Sequence, residues 1–481
     1  MVKRRMSASR VRGCSPPKIA YIGSSSMSSQ VSPSGQSVAL LSLGCARNLV
    51  DSEVALGGLV ESGYQVISDV KQADIAIVNT CGFIGEAKEE SIQAILQLAE
   101  LKKQNKIQKL VVMGCLSQRY GQDILQEIKE IDILLGTDQF KELGQILATS
   151  SPAITGAPLM RVQPRPRFLL DQFTPLKSLT PQHYTYIKIS EGCINACSYC
   201  AIPSMKGKHR SRPIADVLAE AMQKAASGLL REINLIGQDT AAYGYDLERR
   251  FMLHELLAEL AKALPQVWIR VLYAHPAHVT PPLVEVFSRY SNLCPYIDIP
   301  IEHSHPDMLR RMNRGVTREY MDQVIRDFRK LPHVILRTAI IVGFPGETEE
   351  EFENLLRYME EVRFERLGAF VYSHEENTRS FDMPNQISEE VKRERFGRVM
   401  ELQESLTSEW NQTRVGQKLS VLIEEYDPQS KVYLGRSQYD APEVDGHVIL
   451  QRPAKDLVLG EFVQVKVVDA LTHDVVGELA S

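Results

Sequence analysis

The chain has 481 residues, 44% of them hydrophobic, with 55 Lys and Arg against 60 Asp and Glu for a net charge of -5. That length exceeds one ordinary core and predicts about three domains of roughly 150 residues, while the balanced charge excludes the global basic field of a dedicated nucleic-acid binder. No apolar run is long enough for a membrane span and no apolar leader core lies near the N-terminus; eight cysteines, few and unevenly placed, exclude a secreted disulfide scaffold and point to metal or redox chemistry in a reducing compartment, the cytoplasm.

The first 37 residues carry eleven serines, six Lys or Arg and no acid, a composition that cannot pack a core. Residues 1–36 read as a disordered, basic, serine-rich extension. The same composition fits an organellar transit peptide, and Met27 is an alternative start. Cys14 in this stretch is an incidental thiol.

From 37 to 150, short apolar runs alternate with helical stretches: VALLSL, a helix through DSEVALGGLVESG, DIAIVN, a helix through KEESIQAILQLAELKK, then KLVVMG. Such runs separated by helices predict βαβ units and a parallel sheet covered on both faces. Each run is followed within two residues by a cysteine: Cys45, Cys81 and Cys115, at spacings of 36 and 34 residues. One βαβ unit is about that long, so the three thiols should emerge together at the carboxyl edge of one sheet, where open α/β folds bind ligands. The bland alternative is three unrelated buried cysteines.

Residues 151–180, as in RVQPRPRFLLDQFTP, are proline-rich without helical period and read as an extended linker. From 181 to 411 the strand candidates YTYIKIS, EINLIG, WIRVLY, YIDIPI, VILRTAIIVG and RLGAFVYS alternate with helical segments. Six strands with helical crossovers are two units short of an eight-fold barrel and predict a partial, laterally open one. From 412 to 481, KLSVLIEEY, KVYLGRS, HVIL, EFVQVKVVDA and DVVGEL are strands without helices, which predicts a small β-barrel of the oligonucleotide-binding kind.

The first strand of the open barrel runs into EGCINACSYC, where Cys193, Cys197 and Cys200 form a C-x3-C-x2-C set. Three thiolates leave a structural zinc site one ligand short, unless His209 supplies it. They suit a 4Fe-4S cluster with one iron open to an exchangeable ligand. The set resembles the signature of radical S-adenosylmethionine (AdoMet) enzymes, with Tyr199 as the usual aromatic before the third cysteine. That resemblance implies that the open iron chelates AdoMet and that reductive cleavage gives a deoxyadenosyl radical. The candidate AdoMet contacts are Tyr199, just before the third cysteine, Gln238 and Arg337 at strand ends, and Gly343 in RTAIIVGFPGET, where a glycine turn allows close backbone approach. His275, His303 and His305 read as structural or supporting, and Cys294 as buried and inert.

Two sets of three cysteines, a radical barrel and a terminal β-barrel together resemble the methylthiotransferase family from about residue 37 onward, and the resemblance makes the last domain a TRAM domain. SLGCARNLVDSE, IPSMKGKHRSRP, IGQDTAAYG and GRSQYDAPEVDG are similar to the branch that modifies an aspartate of small-subunit ribosomal protein twelve (RimO-type). The tRNA-adenosine branch (MiaB-type) usually carries Asn where this chain has Asp239. Departures from the pattern are Ala46, Arg47 and Glu302. The resemblance implies two 4Fe-4S clusters: that of Cys45, Cys81 and Cys115 holds the sulfur that one AdoMet methylates, and that of Cys193, Cys197 and Cys200 serves radical generation from a second AdoMet. It also implies an electron donor and a sulfur source outside the chain.

The terminal domain from 415 to 481 carries six Lys or Arg against eleven Asp or Glu. An acidic barrel repels RNA and attracts a basic ribosomal protein, so direct RNA binding is not expected to be primary. Glu424, Glu425, Asp440 and Glu443 are candidates for that docking surface. A tRNA methylthiotransferase and a non-catalytic, metal-dependent RNA-binding module are the competing readings.

Overall fold

The computed structural model describes residues 35–149, 157–451 and 456–480. Most of the serine-rich extension, Cys14 and Met27 included, lies outside them. Nineteen strands among the described residues are shared between two parallel sheets, a short ribbon and a closed barrel, the fold class that the sequence predicts.

The first sheet contains β1 (Ser37–Ser42), β2 (Gln65–Val66), β3 (Ile75–Thr80), β4 (Lys109–Gly114), β5 (Ile133–Leu135) and β6 (Leu159–Arg161) in the order β2-β1-β3-β4-β5-β6, all parallel. All six residues of β3 are buried, as a strand covered on both faces requires. Helices α1 (Ala46–Glu61), α2 (Gly85–Lys103), α3 (Cys115–Glu127) and α4 (Leu143–Thr149) supply that cover. Inside α1, Gly57 is irreplaceable by size alone, since a Cβ there would lie 2.3 Å from the Pro175 carbonyl oxygen.

Sequence period captured β1, β3 and β4; β2, β5 and β6 are too short to leave one. The stretch predicted to be an extended linker is partly built into the first domain. Leu159–Arg161 pairs with β5, Leu170 is buried in the core of the first domain, and Lys177 donates to the Glu53 carbonyl at 3.0 Å. Proline content excludes helix but not a short edge strand or a strap.

The second sheet contains β7 (Tyr184–Lys188), β10 (Glu232–Ile236), β11 (Trp268–Val271), β12 (Leu293–Asp298), β13 (Ile335–Val342) and β14 (Arg366–Val371), all parallel, with β7 and β14 as its unjoined edges. Between β7 and β10 a ribbon of β8 (Ser190–Glu191) and β9 (Arg210–Ser211) carries the C-x3-C-x2-C loop. The period of two puts Tyr184, Tyr186 and Lys188 on one face of β7. The two tyrosines pack with Ile236, Leu272 and Tyr296 in a core shared with Val50 of α1 and with Leu422 and Ala441 of the last domain.

The last domain closes as β15 (Lys418–Asp427), β16 (Val432–Ser437), β17 (Val448–Gln451), β19 (Val475–Leu479) and β18 (Phe462–Ala470). It sits at the amino ends of the open-barrel strands. Arg436 bonds Glu232 at 2.6 Å, Arg270 donates to the Gln438 carbonyl at 2.9 Å, and Arg366 bonds Asp440 at 2.7 Å. No helix among the described residues is long and apolar enough to cross a membrane.

Candidate active site

Cys45, Cys81 and Cys115 lie just beyond the carboxyl ends of β1, β3 and β4, three adjacent strands, with Cys45 capping α1 and Cys115 opening α3. The loops that carry them touch. A Cβ on Gly44, whose φ is +90°, would lie 3.2 Å from Cys81 Sγ. Asn48 joins all three loops: its Nδ2 donates to the carbonyls of Leu43 and Thr80, each at 3.0 Å, and its Oδ1 faces Cys115 Sγ at 3.6 Å.

The thiols differ in charge environment. Burial opposes ionisation of Cys45, yet the Arg47 guanidinium, 3.5 Å away through Nε, and backbone amides of Arg47 and Asn48 hold it below the ordinary thiol value. Burial, with the neighbouring thiols, pushes Cys81 well up; burial also pushes Cys115 up, to about 11. Arg47 goes further: Nη1 donates to the Gly237 carbonyl at 3.1 Å and the guanidinium stacks over Tyr273 at 4.5 Å, both in the open barrel.

In the second set, the Asn195 amide and Nδ2 donate to Cys193 Sγ at 3.4 and 3.5 Å, and Arg314 Nη1 lies 3.3 Å from Cys197 Sγ. Cys200 N–H donates to the Cys197 carbonyl, making the turn, while Ser198 N–H is anchored on the Met312 carbonyl at 2.9 Å. Burial and Asp239 push Cys193 up to about 11; burial and Cys197 push Cys200 higher. Metal binding must displace these protons.

A tetrahedral zinc with bonds of ~2.3 Å holds its thiolates about 3.8 Å apart. Among the described residues neither trio brings its three sulfurs within 4.8 Å of one another. His209 is turned to Ser211 Oγ at 3.0 Å and carries no thiol partner. Three thiolates each also leave both sets one donor short of a structural zinc.

The two trios share one interface. Cys115 packs against Ala201 and Met205, immediately after Cys200. Beside them lies a buried charge network: Asp51 of α1 bonds both Lys188 and Lys206, Lys188 also bonds Glu191 at 2.8 Å, and Gln238 Nε2 donates to Glu191 at 2.6 Å. Burial would raise Glu191, but the two lysines hold it at about 2. Sequence reading missed Asp51, Lys188, Lys206 and Glu191.

The predicted AdoMet contacts each have partners of their own within the chain. Tyr199 bonds Arg314 through its hydroxyl at 3.0 Å and packs edge-on against Phe344. Gln238 belongs to the charge network, with Oε1 buried and free of partners. Arg337 bonds Asp298 at 2.8 Å. The close approach that Gly343 allows, with φ +74°, is to Lys392, whose Cγ would lie 2.3 Å from a Cβ. His275 and His305 accept backbone N–H groups at helix starts, and His303 faces Glu347. Cys294 is fully buried and its thiol is pushed up to about 12 by burial. Asp239 lies in the site, its Oδ2 held at 2.7 Å by both Asn195 and His278.

The chain is similar to known proteins over most of its length. Residues 37–136 match the uncharacterized protein family UPF0004, 187–359 the radical SAM superfamily and 415–480 the TRAM domain. The ribosomal protein uS12 methylthiotransferase RimO of Desulforamulus reducens is 45% identical over 92% of this chain and 99% of its own. RimO of Clostridioides difficile is 44% identical over 92% and 98%. The chain belongs to the RimO family. It is a radical AdoMet methylthiotransferase, which closes the alternative of a non-catalytic binding module. Among solved structures, the radical AdoMet methyltransferase TsrM from Kitasatospora setae aligns with a TM-score of 0.52 at 15% identity, over 69% of this chain and 72% of that one, a likeness of fold alone. A RimO-family enzyme with a radical SAM domain uses a 4Fe-4S cluster and AdoMet.

Proposed function

We propose that this chain adds a methylthio group to the β-carbon of an aspartate in small-subunit ribosomal protein uS12, with Cys193, Cys197 and Cys200 holding the cluster that binds AdoMet and Cys45, Cys81 and Cys115 holding a second 4Fe-4S cluster. The observation that carries it is the shared interface, in which Cys115 packs against Ala201 and Met205 beside Cys200. A C–H bond at that carbon is beyond any protein acid or base near pH 7. Cys193, Cys197 and Cys200 would hold the cluster that, with AdoMet, would supply a carbon radical able to remove that hydrogen.

The chain's own residues position and exclude. Asn48 holds the three N-terminal loops at one point. Arg47 ties Cys45 to the end of β10. Lys188 and Lys206 close on Asp51 and keep the two trios in register across a buried interface. The electron donor and the sulfur source act from outside.

The test is an anaerobic competition assay offering uS12 and tRNA bearing a prenylated adenosine, read by mass spectrometry of the protein and of digested tRNA. One methylthio group on a uS12 aspartate, with tRNA unmodified, is the expected result. Methylthiolated nucleoside with unmodified protein would reassign the chain to the tRNA branch.

A further inference from the structure

Arg314 follows the short helix Pro306–Arg311 and turns back under the C-x3-C-x2-C loop. Its Nη1 lies 3.3 Å from Cys197 Sγ and 3.0 Å from the Tyr199 hydroxyl, and its Nη2 donates to the Pro300 carbonyl at 2.6 Å. The side chain is 4% exposed, and Nε is buried without a partner. The nearest carboxylate is Glu302, 4.0 Å from Nη1 and itself only 13% exposed. Glu302 has φ +67°, a left-handed conformation a glutamate rarely adopts. Backbone pairing enforces it: its N–H donates to Ala339 and its carbonyl accepts from Ile341, both at 2.8 Å. The acid is thus fixed beside the guanidinium by the sheet, independently of any bond its own carboxylate makes.

Reducing an iron–sulfur cluster adds negative charge, and hydrogen bonds to its sulfurs and nearby net charge set its potential. A guanidinium donating to a ligand sulfur favours the reduced form. A carboxylate beside that guanidinium opposes it. We infer that Arg314 and Glu302 set the reduction potential of the cluster held by Cys193, Cys197 and Cys200, Arg314 raising it through the Cys197 sulfur and Glu302 offsetting part of that rise. The inference rests on the reading of this trio as ligands of the AdoMet-binding cluster.

The experiment is an anaerobic redox titration of the reconstituted full chain without substrate, followed by EPR on the signal that added AdoMet perturbs. Glu302→Gln, an isosteric change, should move the midpoint up. Arg314→Met should move it down by more than Glu302→Gln raises it, and Arg314→Lys, which keeps charge but loses the planar fork, should fall between it and the parent. Midpoints unchanged in Glu302→Gln and Arg314→Met at equal iron content would overturn the inference. So would weaker AdoMet binding in Arg314→Met with the AdoMet-free midpoint unmoved, because that outcome makes Arg314 a ligand contact. If Arg314→Met fails to hold iron, the direction of the Glu302→Gln shift decides alone. Since no substrate is present, choice of the wrong substrate branch leaves these midpoints untouched, whereas absence of any AdoMet-perturbed signal overturns the trio's assignment and this inference together.

Discussion

Asn48 faces Cys115 across 3.6 Å while its amide nitrogen holds the carbonyls of Leu43 and Thr80, so one side chain touches the strand ends that carry all three N-terminal cysteines. Asn48 is buried, and truncation to Ala would strip two buried carbonyls of their donor at about 1–3 kcal/mol each. We expect Asn48→Ala to lose the iron bound by this trio and the methylthio product, while cleavage of AdoMet to deoxyadenosine persists. Iron and sulfide analysis beside a deoxyadenosine assay checks it.

The two trios are separable by substitution. Changing Cys45, Cys81 and Cys115 to Ala should halve a content of about eight irons on the 4Fe-4S reading and abolish product but leave deoxyadenosine formation. Changing Cys193, Cys197 and Cys200 to Ala should also halve the iron but stop AdoMet cleavage. Product at the normal rate from the first variant would make its cysteines ordinary packing.

Asp51 is the only carboxylate shared by Lys188 and Lys206 at hydrogen-bond distance among the described residues. Burial alone would lower Lys206, but Asp51 and Glu191 hold it well above the lysine range. Removing one partner of a buried charge cluster costs about 3–5 kcal/mol. Asp51→Ala should therefore lower the melting temperature and raise the ratio of deoxyadenosine to product, as the two trios lose register. Asp51→Glu, which keeps the charge, should recover part of both.

The cysteine geometry was legible because strand period and cysteine phase coincide: each thiol follows β1, β3 or β4 by one to three residues, and parallel neighbours bring equal phases together. The charge network was less legible. Asp51 and Glu53 look like the solvated start of a helix in DSEVALGG, and only tertiary packing buries them. One signal was available: Lys188 stands in an otherwise uncharged strand, YTYIKIS, where a cation needs a buried partner. Short strands such as β5 and β6 carry no period to detect.

Arg436 lies fully buried between Glu232 and Glu424. Burial would raise Glu424, but Arg436 and His183 hold it at about 2, below its ordinary 4.5, and Asp440 is likewise held low by Arg414 and Arg366 against burial. Depressed carboxyls stabilise above their unfolded value and lose that contribution as pH falls through the folded one. Docking of the TRAM domain should thus weaken between about pH 4.5 and 2, seen as accelerated proteolysis near residue 414. Arg436→Met should produce the same susceptibility at pH 7, at a cost of about 3–5 kcal/mol.

These ion pairs also revise the docking surface. Glu424 and Asp440, predicted to meet a basic partner, are internal, paired with Arg436, Arg366 and Arg414, and Glu443 bonds the Tyr184 hydroxyl at 3.0 Å. Reversing their charges would unseat the domain instead of testing recognition. Glu425, Glu461, Asp469 and Glu478 remain exposed, so the acidic character survives on the outer face of the barrel. A basic ribosomal protein gains encounter rate from such a face, and an RNA loses it. Changing these four acids to Lys should lower kcat/KM for uS12 through KM, flatten its dependence on salt, and leave substrate-free AdoMet cleavage and melting temperature unchanged. An unaltered KM and salt slope would reduce the outer face to solvated charge and place recognition of the protein substrate at the opposite, cysteine-bearing end of the open barrel.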